Sequence, residues 1–176
     1  MISDPDRPFY KSGKIMPLTK LPQQEFENFI YSRFRSGKVA VSREDLKFIF
    51  GITKNHPYYT QMLCWEVWER CLAKGEISKE DIKETLDILL DHQGEYFLTL
   101  WDSFSLQQKM LLLALAEEPT INVFSKDFIG KFGLGVASSI QKSLTRLREP
   151  EIIEKVDSTY EISDVFFSIW LKGKMA

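Results

Sequence analysis

The sequence predicts a mainly α fold, with a four-helix bundle followed by a winged helix-turn-helix that carries a small β-hairpin. Three observations carry this reading. Apolar residues recur at helical spacing from Gln23 to about Leu100. Beyond Ser103 the order changes to helix, short extended piece, helix, helix, a pair of short extended pieces around a polar turn, and a last helix, which is the order of a winged helix-turn-helix. The chain has 176 residues, 44% hydrophobic and 13% aromatic, enough to fill the core of one domain or of two small ones.

The first 22 residues hold four of the seven prolines. Proline fixes φ and removes a donor, so this stretch is not a helix, and only "KIMPL" suits a short edge strand. From Gln23, Phe26, Phe29, Ile30 and Phe34 mark one face of a first helix that ends at Ser36-Gly37. Val39-Ala40-Val41 reads as an extended link. Ser42 with Asp45 resembles a capping pair and opens a second helix with Leu46, Ile49 and Phe50 inward, closed by Gly51. The third helix, Pro57 to about Ala73, is apolar over most of its circumference, so Trp65 and Trp68 are expected in the core. Gly75 stops it. Ser78 with Asp81 starts a fourth helix, with Ile82, Leu86, Leu89, Tyr96, Phe97 and Leu100 facing inward.

The second half follows the same logic. "SLQQKMLLLALAEEP" is a helix buried nearly all round and ended by Pro119, with Leu113 inside. "INVF" is extended and "SKDFIGKFG" is a helix of one to two turns. "GVASSIQKSLTRLRE" puts Val136, Ile140, Leu144 and Leu147 on one apolar stripe. "IIEKV", "DST" and "YEI" form a hairpin around a polar turn, and "SDVFFSIWLKG" is the final helix.

Net charge is -2, so the chain as a whole is no electrostatic glove for nucleic acid. Residues 1–47 carry nine Lys/Arg against six Asp/Glu, and residues 66–102 carry four against ten. Cys64 and Cys71 would lie about 10 Å apart along one helix, beyond disulfide reach, and two free thiols suit a reducing cytoplasm. No apolar run approaches the roughly 18 residues of a membrane span. "PFYKSGKI" lacks the first glycine and the hydroxyl of a phosphate loop, and "FGLGVASS" lacks its lysine. His56 and His92 stand apart with no metal-ligand spacing. The chain by itself is therefore expected not to be an enzyme.

The third helix of the winged helix-turn-helix is the nucleic-acid candidate. Its outward residues include Ser138, Thr145 and the five candidates Ser139, Gln141, Lys142, Arg146 and Arg148. Gln and Arg read base edges, and Lys and Arg hold phosphates. Against this stand the near-neutral balance of residues 101–176 and the wing carboxylates Glu154, Asp157 and Glu161, so a protein partner is the competing reading.

Three stretches in order, "RPFYKSGKIMPLTKLPQQEF", "TKNHPYYTQMLCWEVW" and "SSIQKSLTRLREPEIIEKVDSTYEISDVFFSIWLKG", resemble the carboxyl-terminal part of the archaeal-type P-loop ATPases of the AAA+/STAND group. The resemblance covers nearly the whole chain. It implies that residues 1–21, with Pro8-Phe9-Tyr10, extend from the end of an ATPase core. Residues 22–100 would then be a helical lid and residues 101–176 a winged helix. It implies that Asn55, His56, Pro57 and Tyr58 would contact nucleotide once a core domain is present, with Pro57 at a helix start that offers free N–H groups. Asn55 stands where the signature has glycine, and a side chain there is expected to crowd the nucleotide. ATP and Mg are implied for the complete family member and no cofactor for this chain, which lacks Walker A, Walker B and a sensor strand. The resemblance thus implies a non-catalytic regulatory region that partners an ATPase core and carries a winged helix for DNA or protein contact. The alternatives are a stand-alone winged-helix DNA-binding regulator and a protein-interaction module.

Overall fold

The computed structural model describes residues 21–174. The edge strand expected in "KIMPL" and the segment Pro8-Phe9-Tyr10 lie outside them. Described residues form helices α1 (Gln23–Ser36), α2 (Arg43–Thr53), α3 (Pro57–Cys71), α4 (Lys79–His92), α5 (Gly94–Asp102), α6 (Leu106–Glu117), α7 (Lys126–Phe132) and α8 (Ala137–Arg148). Strands β1 (Ile153–Val156) and β2 (Thr159–Ile162) follow, then α9 (Val165–Lys174). The mainly α class with a two-stranded antiparallel hairpin is the predicted one.

Helix starts follow the sequence closely, because side-chain caps are local chemistry. The Asp45 N–H donates to Ser42 Oγ at 3.0 Å and opens α2. Ser78 and Asp81 form a reciprocal capping box at α4, as do Ser105 and Gln108 at α6. Pro57 occupies the first turn of α3, where its missing donor costs nothing.

Helix ends depart more. Gly51 lies inside α2, which runs on to Thr53 and closes on Lys54 in the left-handed region. The expected long fourth helix breaks at Gln93 into α4 and α5. "INVF" is not a strand. Only Thr120 pairs, through a two-hydrogen-bond bridge with Tyr160.

Burial corrects six aromatic or aliphatic assignments. Phe26, Ile30 and Phe34 are core, but Phe29 is 47% exposed. Leu63, Cys64, Val67 and Cys71 form the buried stripe of α3, which leaves Trp65 60% exposed and Trp68 half-buried. Val136 is not on the α8 stripe, since it caps the helix and is 65% exposed. Tyr96 points to solvent while Phe97 is fully buried, and Leu113 is half-buried. In each case the helix has room for only one stripe against its neighbours, and the surplus apolar residue falls outside it.

Trp68 is fixed by the turn after α1. Its Nε1 donates to the Gly37 carbonyl at 3.2 Å, and a Cβ on Gly37 would lie 2.3 Å from that nitrogen. Residue 37 therefore has to be glycine for the indole to lie against the chain. Ala40 next forms a parallel bridge with Glu76 and ties the α1–α2 link to the α3–α4 link.

The two halves share one continuous core. Phe97 of α5 lies 5.4 Å from Phe167 and 5.7 Å from Trp170, both on α9. Tyr59 of α3 lies 4.9 Å from Phe166. Burial, aided by a hydrogen bond to Asp164, pushes the Tyr59 hydroxyl well above the ordinary tyrosine range. Tyr59 is thus a packing residue of the joint between the halves.

Two outcomes follow for stability. Phe97→Ala is expected to cost about 3–5 kcal/mol and to replace a single cooperative transition by two, because it empties the joint between the halves. Denaturant titration followed by both far-ultraviolet dichroism and tryptophan emission would show this. The Asp81 carboxylate accepts from Lys74 Nζ at 2.7 Å and from Ser78 Oγ at 2.6 Å, and these partners hold its carboxyl at about 2, below the ordinary 3.8. A depressed folded-state value stabilises above about pH 4, and that contribution is lost as pH falls toward 2. Asp81→Ala should cost about 0.5–2 kcal/mol at neutral pH, and urea titrations at pH 7 and pH 2.5 should show the gap from the unaltered protein narrowing.

Candidate nucleic-acid interface and the cleft behind it

The turn Gly133-Leu134-Gly135 aims α8. Gly133 caps α7 at φ 62° and Gly135 has φ 75°, conformations that a side chain disfavours, while Leu134 between them is fully buried. Gln107 of α6 donates from Nε2 to the Leu134 carbonyl at 2.7 Å and locks the turn onto the core. Ile140, Ser143, Leu144 and Leu147 then bury one face of α8 against α6 and β1.

The opposite face of α8 is polar. Gln141, Lys142, Arg146 and Arg148 are exposed, and Ser139 is half-buried near the helix start, the least available of the five candidates. Lys142 and Arg146 lie four residues apart and so share a face. No carboxylate occurs in Ala137–Arg148, and among the described residues neither Lys142, Arg146 nor Arg148 forms an ion pair. Arg146 and Arg148 also suit the negative end of the helix dipole, which would favour them in a helix that bound nothing.

The hairpin closes through Asp157 and Ser158, both at positive φ, the two-residue turn that matches strand twist. Its register pairs Ile153 with Ile162 and Glu154 with Glu161. The isoleucines are buried, so the glutamates project from the other face. That face looks onto the start of α3, where Lys54 Nζ meets Glu161 at 2.9 Å. Lys155 lies on the isoleucine side of the pleat, with its Nζ 5.1 Å from the centroid of the Tyr160 ring.

Asn55, His56, Pro57 and Tyr58 do come together. They line a cleft of about 430 Å³ between α3 and the hairpin, across from Glu154 and Glu161. Asn55 adopts φ 58°, the backbone shape that glycine takes most easily, and donates from Nδ2 to the Leu21 carbonyl at 3.2 Å. Its Oδ1 and the Ser163 hydroxyl are buried and find no partner among the described residues. His56 and Tyr58 are exposed, and Pro57 is half-buried. The two carboxylates were not foreseen as cleft residues, because only the hairpin register brings them opposite residues 54–58. Cys64 is buried, and burial pushes its thiol up to about 12, as for an inert core thiol.

The order α6, Thr120, α7, α8, β1, β2 decides the comparison with known folds. Residues 95–173 match the family model of a probable winged helix domain. The match begins in α5 and ends in α9, so it takes in both helices that carry the Phe97 cluster. No curated protein and no solved structure matches the chain. Within the winged helix, α8 holds the position of the groove-reading helix and β1-β2 that of the wing. Winged helices of this kind contact DNA or proteins, and no described helix is long and apolar enough to cross a membrane.

Proposed function

We propose that this chain is a DNA-contacting module in which α8 enters the major groove and the bundle carries it. The observation that carries the reading is the exposed face of α8, with Gln141, Lys142, Arg146 and Arg148 free of any acidic neighbour within the helix. Gln141 and Arg146 can address base edges, and Lys142 and Arg148 can hold phosphates. The wing assists little. Glu154 and Glu161 face the bundle, and Asp157 is exposed in its turn. Affinity should accordingly be modest, with a shallow salt dependence.

The regulatory role beside an ATPase core is the second reading. One observation favours it: the four residues of the His-Pro-Tyr segment gather at an open cleft on the amino terminus of α3. Glu154 and Glu161 on the opposite wall weigh against a phosphate there.

Duplex DNA is expected to bind with a log-log salt slope of about -3, for about three phosphate contacts. Changing Lys142 and Arg146 together to Ala should abolish that binding in a gel-shift titration and leave the unfolding midpoint unchanged. Retention by the double variant would remove α8 from the interface. No retention of any duplex by the unaltered protein at low salt would turn the winged helix toward protein partners. For the second reading, the isolated chain is expected to show no ATP turnover, since no phosphate loop occurs in it. Turnover that disappears on changing His56 and Pro57 would overturn that expectation.

A further inference from the structure

A second cavity lies on the far side of the bundle, between the carboxyl-terminal half of α1 and the outer face of α3. It measures about 510 Å³, within the roughly 300–1,000 Å³ usual for small-molecule sites. Its lining is aromatic: Phe29 and Phe34 from α1, Trp65 and Trp68 from α3. Two of these, Phe29 and Trp65, are the large apolar residues that the helical pattern would have buried and the fold leaves in the open. Trp68 is held in place by its hydrogen bond to the Gly37 carbonyl, and its ring lies 5.2 Å from that of Trp65. The aromatic surface is thus preformed.

One charge lines this cavity. It is Arg33, whose guanidinium carbon sits 5.0 Å from the centroid of the Phe29 ring. No carboxylate lines the cavity, and Arg33 forms no ion pair among the described residues. Gln61 and Ser36 complete the polar set. A preformed apolar slot with a single unneutralised guanidinium is complementary to an apolar body that ends in one negative charge. Guanidinium is the side chain best shaped to take a carboxylate through two parallel hydrogen bonds.

We infer that this cavity binds a small carboxylic acid with an apolar body, of the size of a medium-chain fatty acid, its carboxylate on Arg33 and its chain along the wall formed by Trp65 and Trp68. The site stands apart from α8 and does not depend on any reading of the winged helix.

The test uses decanoate, below its micelle concentration, with tryptophan emission as the readout. Trp65 is exposed, whereas Trp101 and Trp170 are buried, so a ligand lying against the α3 indoles should shift emission to the blue and saturate. Decan-1-ol and decylamine are the controls for charge. Decanoate should bind about three- to tenfold more tightly than either, and Arg33→Gln should remove that preference. Arg33 is exposed, so this variant should keep the fold. Trp65→Phe should abolish most of the shift while calorimetry still records binding heat. Three results would overturn the proposal. One is no saturable shift to millimolar decanoate. Another is an equal response to the alcohol, the amine and the acid, which would make the cavity a nonspecific apolar patch. The third is a dimer in sedimentation that protects Trp65 without ligand, which would make a second copy the occupant.

Discussion

The two halves of this molecule are joined chiefly by the aromatic contact of α5 and α3 with α9. Phe97, Phe167 and Trp170 form one cluster, with Tyr59 against Phe166 beside it. Burying rings of this size stabilises each by roughly 1.5–3 kcal/mol, and edge and offset contacts add about 0.5–1.5 kcal/mol per pair. The cluster is large compared with the single exposed-to-half-buried ion pair Lys54–Glu161, which supplies orientation more than energy. The winged helix is therefore attached to the bundle by packing. Its α8 face stays open because the bundle takes α9 and the outer side of the hairpin instead.

That attachment also explains the stretch His56-Pro57-Tyr58-Tyr59. Each residue meets a different demand. Pro57 starts α3, where its fixed φ is already helical. Tyr59 reaches across to α9, with its hydroxyl on Asp164 and its ring on Phe166 and His56. Tyr58 stays exposed beside the cleft. A helix start rich in rings is thus a joint between two units, whatever else the cleft holds. The position of Asn55 is related. A left-handed backbone is required there, asparagine tolerates it better than most residues, and its amide secures the chain leading into α1.

How much of this the sequence displayed depends on the range of the interaction responsible. Caps at Ser42, Ser78 and Ser105 and the hairpin turn at Asp157-Ser158 are set within three or four residues, and they were legible. The order of elements in the winged helix was legible for the same reason. Burial was legible only where a helix carried a single apolar stripe, as in α8 after Val136. Helix α3 carries more apolar residues than one stripe holds. Nothing local says that Leu63 and Val67 are core while Trp65 faces out, because that choice is made by where α2 and α4 pack. The break at Gln93 was hidden too. No proline marks it, and the turn exists so that Phe97 can face α9 instead of α4. For the candidate site, the α8 stripe makes Gln141, Lys142, Arg146 and Arg148 legible as outward but not Ser139, which is half-buried, whereas Glu154 and Glu161 become cleft residues only through the strand register.

The placement of those two glutamates bears on both functional readings at once. Like charges directly opposite on a hairpin repel, and the structure answers with one lysine, Lys54, for two carboxylates. The cleft at α3 is left with an excess of negative charge, although a helix amino terminus by itself favours anions. A phosphate approaching there meets two nearby carboxylates, one of them without an ion pair among the described residues, and at short range full charges outweigh the half charge of a helix end. The same arrangement puts both glutamates on the cleft side of the hairpin, Glu161 half-buried and Glu154 still exposed. Any duplex lying along α8 is thereby spared them and meets Asp157 as the wing's remaining acid. A hairpin register that weakens the cleft as a phosphate site therefore favours α8 as a surface for polyanions, and it ties the two readings to a single feature of the fold.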